Sequence, residues 1–291
     1  MEITPRSDLF HIPLADIWRY RDLLWMFVRR DFVSFYKQTI LGPLWFFIQP
    51  IFMTLVFTLV FGQIGGLAPT GVVQILFYLC GVTFWNYFAD CLNKTAMTFK
   101  DNAKLFGKVY FPRLIVPISI VVSNLIKFAV QFLLFLVVFA WYYSSEPSTD
   151  PATGEQLWSP LAFPWTALWV FPLVIVIMGV LGLGLGMIFS SMTTKYRDLI
   201  FLLQFGVQLL MYGSAVIFSW DVLLAKYAKA APLLAWNPLI PLIEAVRHAF
   251  LGTSNPFGWT GILYSAICAA VIFVVACIVF NRVEKTFMDT V

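Results

Sequence analysis

LIVPISIVVSNLIKFAVQFLLFLVVFAWYY, residues 114–143, decides the fold: thirty consecutive residues carry a single charge, Lys127. At 1.5 Å per residue a helix of this length reaches about 45 Å, more than a hydrocarbon core of roughly 30 Å. The stretch just before it, residues 93–113, reads NKTAMTFKDNAKLFGKVYFPR and holds Lys94, Lys100, Lys104, Lys108 and Arg113. Basic residues flanking a crossing stay on the cytoplasmic side, so this gap gives the run a direction.

Working outward, five further apolar runs fall at residues 40–61, 74–92, 164–191, 199–220 and 259–280. Numbered as six spans, they place fifteen of the nineteen Lys and Arg in the gaps and termini of one face. Both termini are therefore expected in the cytoplasm of a multi-pass membrane protein. Composition agrees: the chain is 60% hydrophobic and 12% charged, whereas soluble domains carry about a quarter charged residues. The net charge of +4 arises mostly in these basic gaps, so it speaks for orientation and not for nucleic acid. Cys80, Cys91, Cys268 and Cys277 lie in or beside spans with no metal-ligand spacing, so neither a disulfide framework nor a metal site is indicated. No cleavable signal peptide is legible in the first forty residues.

The expected architecture is an all-α membrane protein. Residues 1–39 form a cytoplasmic N-terminus with an amphipathic interface helix over 13–37, where Ile17, Leu24, Phe27, Val28 and Phe35 alternate with charge near helical period. Residues 40–280 are the six-span domain and 281–291 a cytoplasmic tail. Within the domain, 93–113 mixes lysines with Phe99, Leu105, Phe106 and Phe111, which suits a short helix docked on another protein. Residues 144–163 are acidic, proline-bearing and free of basic residues, as an exposed outer loop would be. Residues 221–258 are apolar but broken by Pro232, Pro238, Pro241 and Gly252, as in re-entrant or interfacial helices before the last span.

Polar atoms inside the runs are the candidate working parts. Asn124, Lys127 and Gln131 share one helix face, and a charge at membrane depth is a functional-site hypothesis by default. The fifth run repeats the theme with Phe201, Gln204, Phe205, Gln208 and Tyr212, and the first with Trp45, Phe46, Gln49, Phe52 and Phe57. Aromatic faces mixed with amides suit sugar rings, whose C–H faces are apolar and whose rims are hydroxyls; they equally suit helix packing and lipid contact. Gly182, Gly186 and Ser190 form a small-residue row that permits close helix approach, within the subunit rather than at a dimer seam. No phosphate loop, zinc-protease motif, nucleophile elbow or paired intramembrane carboxylate is present, so no catalytic residues are assigned.

Several short motifs, in order along the spans, resemble one family. They are Tyr36-Lys37-Gln38-Thr39-Ile40-Leu41-Gly42-Pro43-Leu44-Trp45, Phe111-Pro112-Arg113, Tyr196-Arg197-Asp198-Leu199, Asn237-Pro238 followed by Arg247, and Glu284-Lys285-Thr286-Phe287. They resemble the permeases of polysaccharide-exporting ABC transporters, of the O-antigen, capsule and teichoic-acid type. The resemblance implies a permease paired with a second copy of itself above two copies of a separate ATPase, which would hold the ATP and Mg²⁺. The cargo implied is a lipid-linked polysaccharide crossing the bacterial inner membrane. Coupling to the ATPase would fall on Lys100, Lys104, Leu105, Phe106 and Lys108, and an outer gate on Asn237, Pro238, Glu244 and Arg247. Two other classes fit the same composition: an ABC permease for small molecules, and a membrane enzyme of glycolipid synthesis, which the missing carboxylates disfavour.

Overall fold

In the computed structural model, which describes residues 18–37, 42–106, 111–146, 163–196, 198–229 and 231–287, the elements are helices throughout. Helix α1 (Arg21–Lys37) precedes a 3₁₀ turn at Gly42–Leu44 and α2 (Trp45–Phe57), which continues as a π-helical stretch over Thr58–Ile64. Then come α3 (Gln74–Ala96) and two short turns, α4 (Thr98–Asp101) and α5 (Ala103–Phe106). The long α6 (Ile115–Ser144) and α7 (Ala167–Thr193) follow, then α8 (Leu199–Tyr212). Next come α9 (Trp220–Tyr227), α10 (Ala231–Leu234) and α11 (Leu239–Leu251), followed by α12 (Gly258–Phe287). Five of these elements are long and apolar enough to cross a membrane: Trp45–Ile64, Gln74–Ala96, Ile115–Ser144, Ala167–Thr193 and Gly258–Val283.

The fifth apolar run departs from expectation. Its helix stops at Tyr212 after 14 residues, about 21 Å, and residues 213–219 leave the helix although the run stays apolar to Trp220. A helix, α1, occupies most of the stretch expected to form the interface helix, whose first expected residues, 13–17, lie outside the described part. Also outside it are 38–41 of the first motif, Lys108, most of the acidic loop (147–162), Arg197 and the last residues of the tail.

Packing centres on α3, which is covered by α2, α6, α7 and α11. Lipid tails are as apolar as leucine, so spans associate by close packing rather than by escape from water. The α7 glycines supply it. A Cβ at Gly182 would lie 2.8 Å from Cys91 Cβ, and one at Gly186 would lie 2.5 Å from Thr95 Cβ, so this row seats α3. On the opposite side, Gly184 lets α12 approach at Ile272. The expected intrasubunit role of the small-residue row is what the structure has. Much of the aromatic content fills the interior: Phe84, Phe128, Phe132, Phe171 and Phe250 stack or meet edge-on between α3, α6, α7 and α11.

At the basic end a second cluster joins Phe27 of α1, Phe99, Phe106 and Phe111 of the 93–113 stretch, and Phe280 of α12. The large apolar residues of 93–113 were expected to face a partner. Phe99, Phe106 and Phe111 instead are buried in the chain's own core, with Phe99 and Phe280 stacked 4.6 Å apart. They close the end of the bundle under α1, which leaves Lys100 exposed on the outside of the turn. The opposite side of α1 presents Trp18, Trp25 and Met26 to the surroundings, as a helix lying in the headgroup layer does.

Candidate functional site

The sequence-selected residues fall into three structural groups. The first is uncovered. On α8, Phe201 and Phe205 are 74% and 62% exposed, and Gln204, Gln208 and Tyr212 share that open side. On α2, Trp45, Gln49 and Phe52 are exposed, while Phe46 and Phe57 turn inward, Phe57 packing edge-on against Tyr78. The faces of α2 and α8 are thus open surfaces, and the split on α2 follows its helical period.

The second group is a half-buried polar ladder between α3 and α6. Lys127 Nζ donates to Asp90 Oδ2 at 2.6 Å, and one turn away Lys94 Nζ donates to Asn124 Oδ1 at 2.7 Å. Asn124 Nδ2 faces the Cys91 sulfur at 3.8 Å, and Lys127 Nζ lies 5.9 Å from the Phe46 ring centroid. An ammonium in an apolar run is tolerated once a carboxylate and an aromatic face meet it. Gln131, the third member of the stripe, is buried with its Nε2 unpaired. Lys127 is therefore a partnered charge inside the fold and does not lie on the same open surface as the α8 face.

The third group is a clasp. Arg247 of α11 has no exposed surface; its Nη1 donates to the carbonyls of Ala215 and Phe218 and its Nη2 to that of Val216 at 2.8 Å. The guanidinium also lies 3.6 Å from the Phe77 ring centroid and 3.5 Å from Glu244 Oε1. Residues 214–220 are all buried, and non-helical backbone at such depth persists only where its carbonyls are satisfied. Arg247 supplies that satisfaction with a planar fork that a lysine lacks. Glu244 Oε1 accepts the backbone N–H of Trp220 at 3.2 Å, capping α9 from a distance. Burial pushes its carboxyl up to about 7, against the opposing pull of Arg247.

Asn237 completes the clasp. Its Nδ2 donates to Gly213 O and Ser214 Oγ at 2.8 and 2.9 Å, and its Oδ1 accepts the N–H of Leu239 at the start of α11. The carbonyl of Pro238 accepts the Ser265 hydroxyl of α12 at 2.7 Å. Of the four residues expected to form an outer gate, Asn237, Glu244 and Arg247 fasten α11 to the segment between α8 and α9, and Pro238 ties its start to α12. On the same side Lys226 of α9 donates to the carbonyls of Gly65 and Gly66, where the π-wound end of α2 runs out.

Sequence reading missed several members. Asp90, near the end of the second run, is one; its i, i+4 relation to Lys94, opposite an i, i+3 pair on α6, is the available signal. Phe77 and Gly81 carry no such signal. A Cβ at Gly81 would sit 2.5 Å from Arg247 Nη2, so that glycine makes room for the guanidinium. Among the described residues no group of three or more His, Cys, Asp or Glu side chains could hold a metal.

A family model described as ABC-2 type transporter matches residues 22–251 of the chain. Two proteins of Klebsiella pneumoniae, each named O-antigen export system permease protein RfbA, are 23% and 24% identical over 268 residues, 92% of this chain and 94% of each relative. A Myxococcus xanthus protein of the same name is 24% identical over 273 residues, 94% of this chain and 96% of its own length.

Proposed function

The chain belongs to the ABC-2 type transporter family, and from that membership we propose that it is the membrane-spanning permease of an ATP-driven exporter of lipid-linked polysaccharide. Relatives named as O-antigen export permeases, similar over at least 92% of this chain, support the cargo class of O-antigen, capsule or teichoic-acid type. The permease works as a pair of copies beneath which two ATPase subunits bind ATP and Mg²⁺, in the inner membrane with both termini cytoplasmic. Nucleotide-driven motion enters through the exposed side of 93–106 and through α1, both seated on the cytoplasmic cluster.

The observation that carries the reading is the open face of α8. Glutamines facing lipid are unfavourable, because polar side chains within spans turn to a bundle interior or a wet cavity. Gln204 and Gln208, interleaved with Phe201, Phe205 and Tyr212, are exposed in the single chain. A second copy and a sliding sugar chain together give that face what it lacks: ring stacking that is exchangeable along the helix, and hydroxyls for the amides. The α2 face of Trp45, Gln49 and Phe52 is the matching wall. Asn237, Pro238, Glu244 and Arg247 hold the outer helices in place at the exit.

The test is complementation. In cells whose copy of this gene is deleted, wild type restores surface glycan, whereas Gln204→Leu with Gln208→Leu lowers it at least tenfold while the permease still purifies with its ATPase. Surface glycan unaffected by the deletion, or ATP-dependent efflux of a small molecule in its place, overturns the proposal.

A further inference from the structure

The basic end of the bundle carries a half-open cavity of about 480 Å³ between α1, the end of α3, α4, α6 and α8, within the range of about 300–1,000 Å³ common for ligand sites. Its polar wall consists of Arg30, Asp31, Asn93, Lys94, Asp101, Asn102 and Gln204. Two basic and two acidic groups balance there, so the cavity is not tuned to a strong anion such as a phosphate, which would meet both carboxylates. Seven of its nine lining residues carry charged or amide side chains, whose stems with Met97 and Ile120 supply apolar patches, an arrangement that suits the C–H faces and hydroxyl rim of a sugar ring better than an acyl chain.

The bonding already present leaves specific capacity. Arg30 is engaged, holding Asp31 Oδ1 through two contacts of 2.8 and 2.9 Å and lying over the Phe27 ring. The second Asp31 oxygen is not part of that contact. Lys94 uses one of its three N–H bonds on Asn124. Asn93 lines the cavity, and its Oδ1, buried just behind the wall, accepts no hydrogen bond; rotation of the side chain would bring this unsatisfied acceptor to a donor in the cavity. The set offers acceptors (Asp31, Asp101, Asn93) and donors (Lys94, the Gln204 amide) around one volume, the pattern a neutral polyhydroxyl group satisfies.

We infer that this cavity is a hexose-recognition site on the cytoplasmic side, in which sugar hydroxyls donate to Asp31, Asp101 and Asn93 and accept from Lys94 and Gln204. The site rests on the export function proposed above and deepens it. It lies where α1 meets the headgroup layer, the depth at which the sugar nearest a lipid anchor travels. It also joins α1 and α4, which receive the ATPase stroke, to α8, which lines the proposed channel, so a bound sugar would be felt by all three.

The assay uses the full permease–ATPase complex in phosphatidylcholine nanodiscs doped with a monohexosyl diacylglycerol or, separately, with phosphatidate, retained lipid being counted by mass spectrometry after washing. Wild type should retain the hexosyl lipid at least tenfold over phosphatidate. Asp101→Asn and Asn93→Leu, which keep the branching and heavy-atom count of the native residues, should each lower that retention at least fivefold while the complex elutes unchanged on size exclusion. Free methyl hexoside is the third arm: displacement of the hexosyl lipid supports recognition of the ring alone, and failure to displace supports recognition of the ring together with its anchor. Retention insensitive to both variants, or preferential retention of phosphatidate, overturns the site. Glycan export in cells is read separately. Variants that lose retention yet export normally sink the site and leave the exporter standing, whereas a deletion without effect on surface glycan sinks the exporter.

Discussion

Removing the Arg247 guanidinium would strand three backbone carbonyls and one carboxylate in a dry interior. Leaving a buried charge without its partner costs about 3–5 kcal/mol, so Arg247→Ala should fail to yield a stable permease, or should melt well below wild type when purified in detergent. Arg247→Lys should fall short of rescue, because one ammonium cannot serve carbonyls at Ala215, Val216 and Phe218 with the geometry of a fork. The ladder allows a cleaner measurement. Lys127→Ala strands Asp90, Asp90→Ala strands Lys127, and the double variant strands neither; melting should show a coupling of about 1–2 kcal/mol between the two sites. Additive effects would mean the pair does not interact. In the sequence Lys127 stands out as a lone charge in an apolar run, but its partner lies 37 positions away on another helix and depends on the register of two packed spans. Arg247 stands out less, since its environment is set by a backbone break no local pattern announces.

Helices packed without help from water respond sharply to a single methyl group. Gly186→Ala places a Cβ 2.5 Å from Thr95 Cβ and 2.9 Å from the Leu92 carbonyl, so it should destabilise the α3–α7 seam by about 1–3 kcal/mol. Gly206→Ala on α8 meets nothing within 4 Å and should leave the melting temperature of the isolated chain unchanged or raise it. Thermal melting of the two variants side by side checks the contrast. The spans are legible in the sequence because a stretch of about twenty apolar residues matches the thickness of a bilayer, and short gaps keep successive stretches distinct. The end of α8 is not. Hydropathy runs unbroken to Trp220, and it is Asn237 and the Arg247 fork, from another helix, that satisfy the backbone freed by a helix break at Gly213. The phenylalanines of 93–113 show the converse. Their size marks a docking surface, but whether they face a partner or the chain's own core is decided by α1 and α12, distant in sequence.

Across the whole molecule, the asymmetry of basic residues and the placement of exposed side chains make one statement that labelling can check. In intact cells an impermeant thiol reagent should modify Lys229→Cys and spare Lys100→Cys, both positions being exposed at opposite ends of the bundle. Labelling of the second from outside would invert the orientation and leave the ATPase no surface to act on. The overall plan is readable from charge and length, whereas the open α2 and α8 faces can be told from packed ones only once the bundle is assembled. The brevity of α8 has a consequence of another kind. With its open face turned to the second copy and the sugar chain, this rod about 21 Å long, beside α3 and α7 at about 35 and 40 Å, meets lipid at its rim. There the bilayer has to dimple, at fractions of a kcal/mol per Å of mismatch. Such a dimple brings the two leaflets' polar layers nearer each other along this one flank, shortening the greasy distance any amphiphile must traverse. Turnover in reconstituted vesicles thereby becomes a function of acyl-chain length, fastest in the thinner lipid.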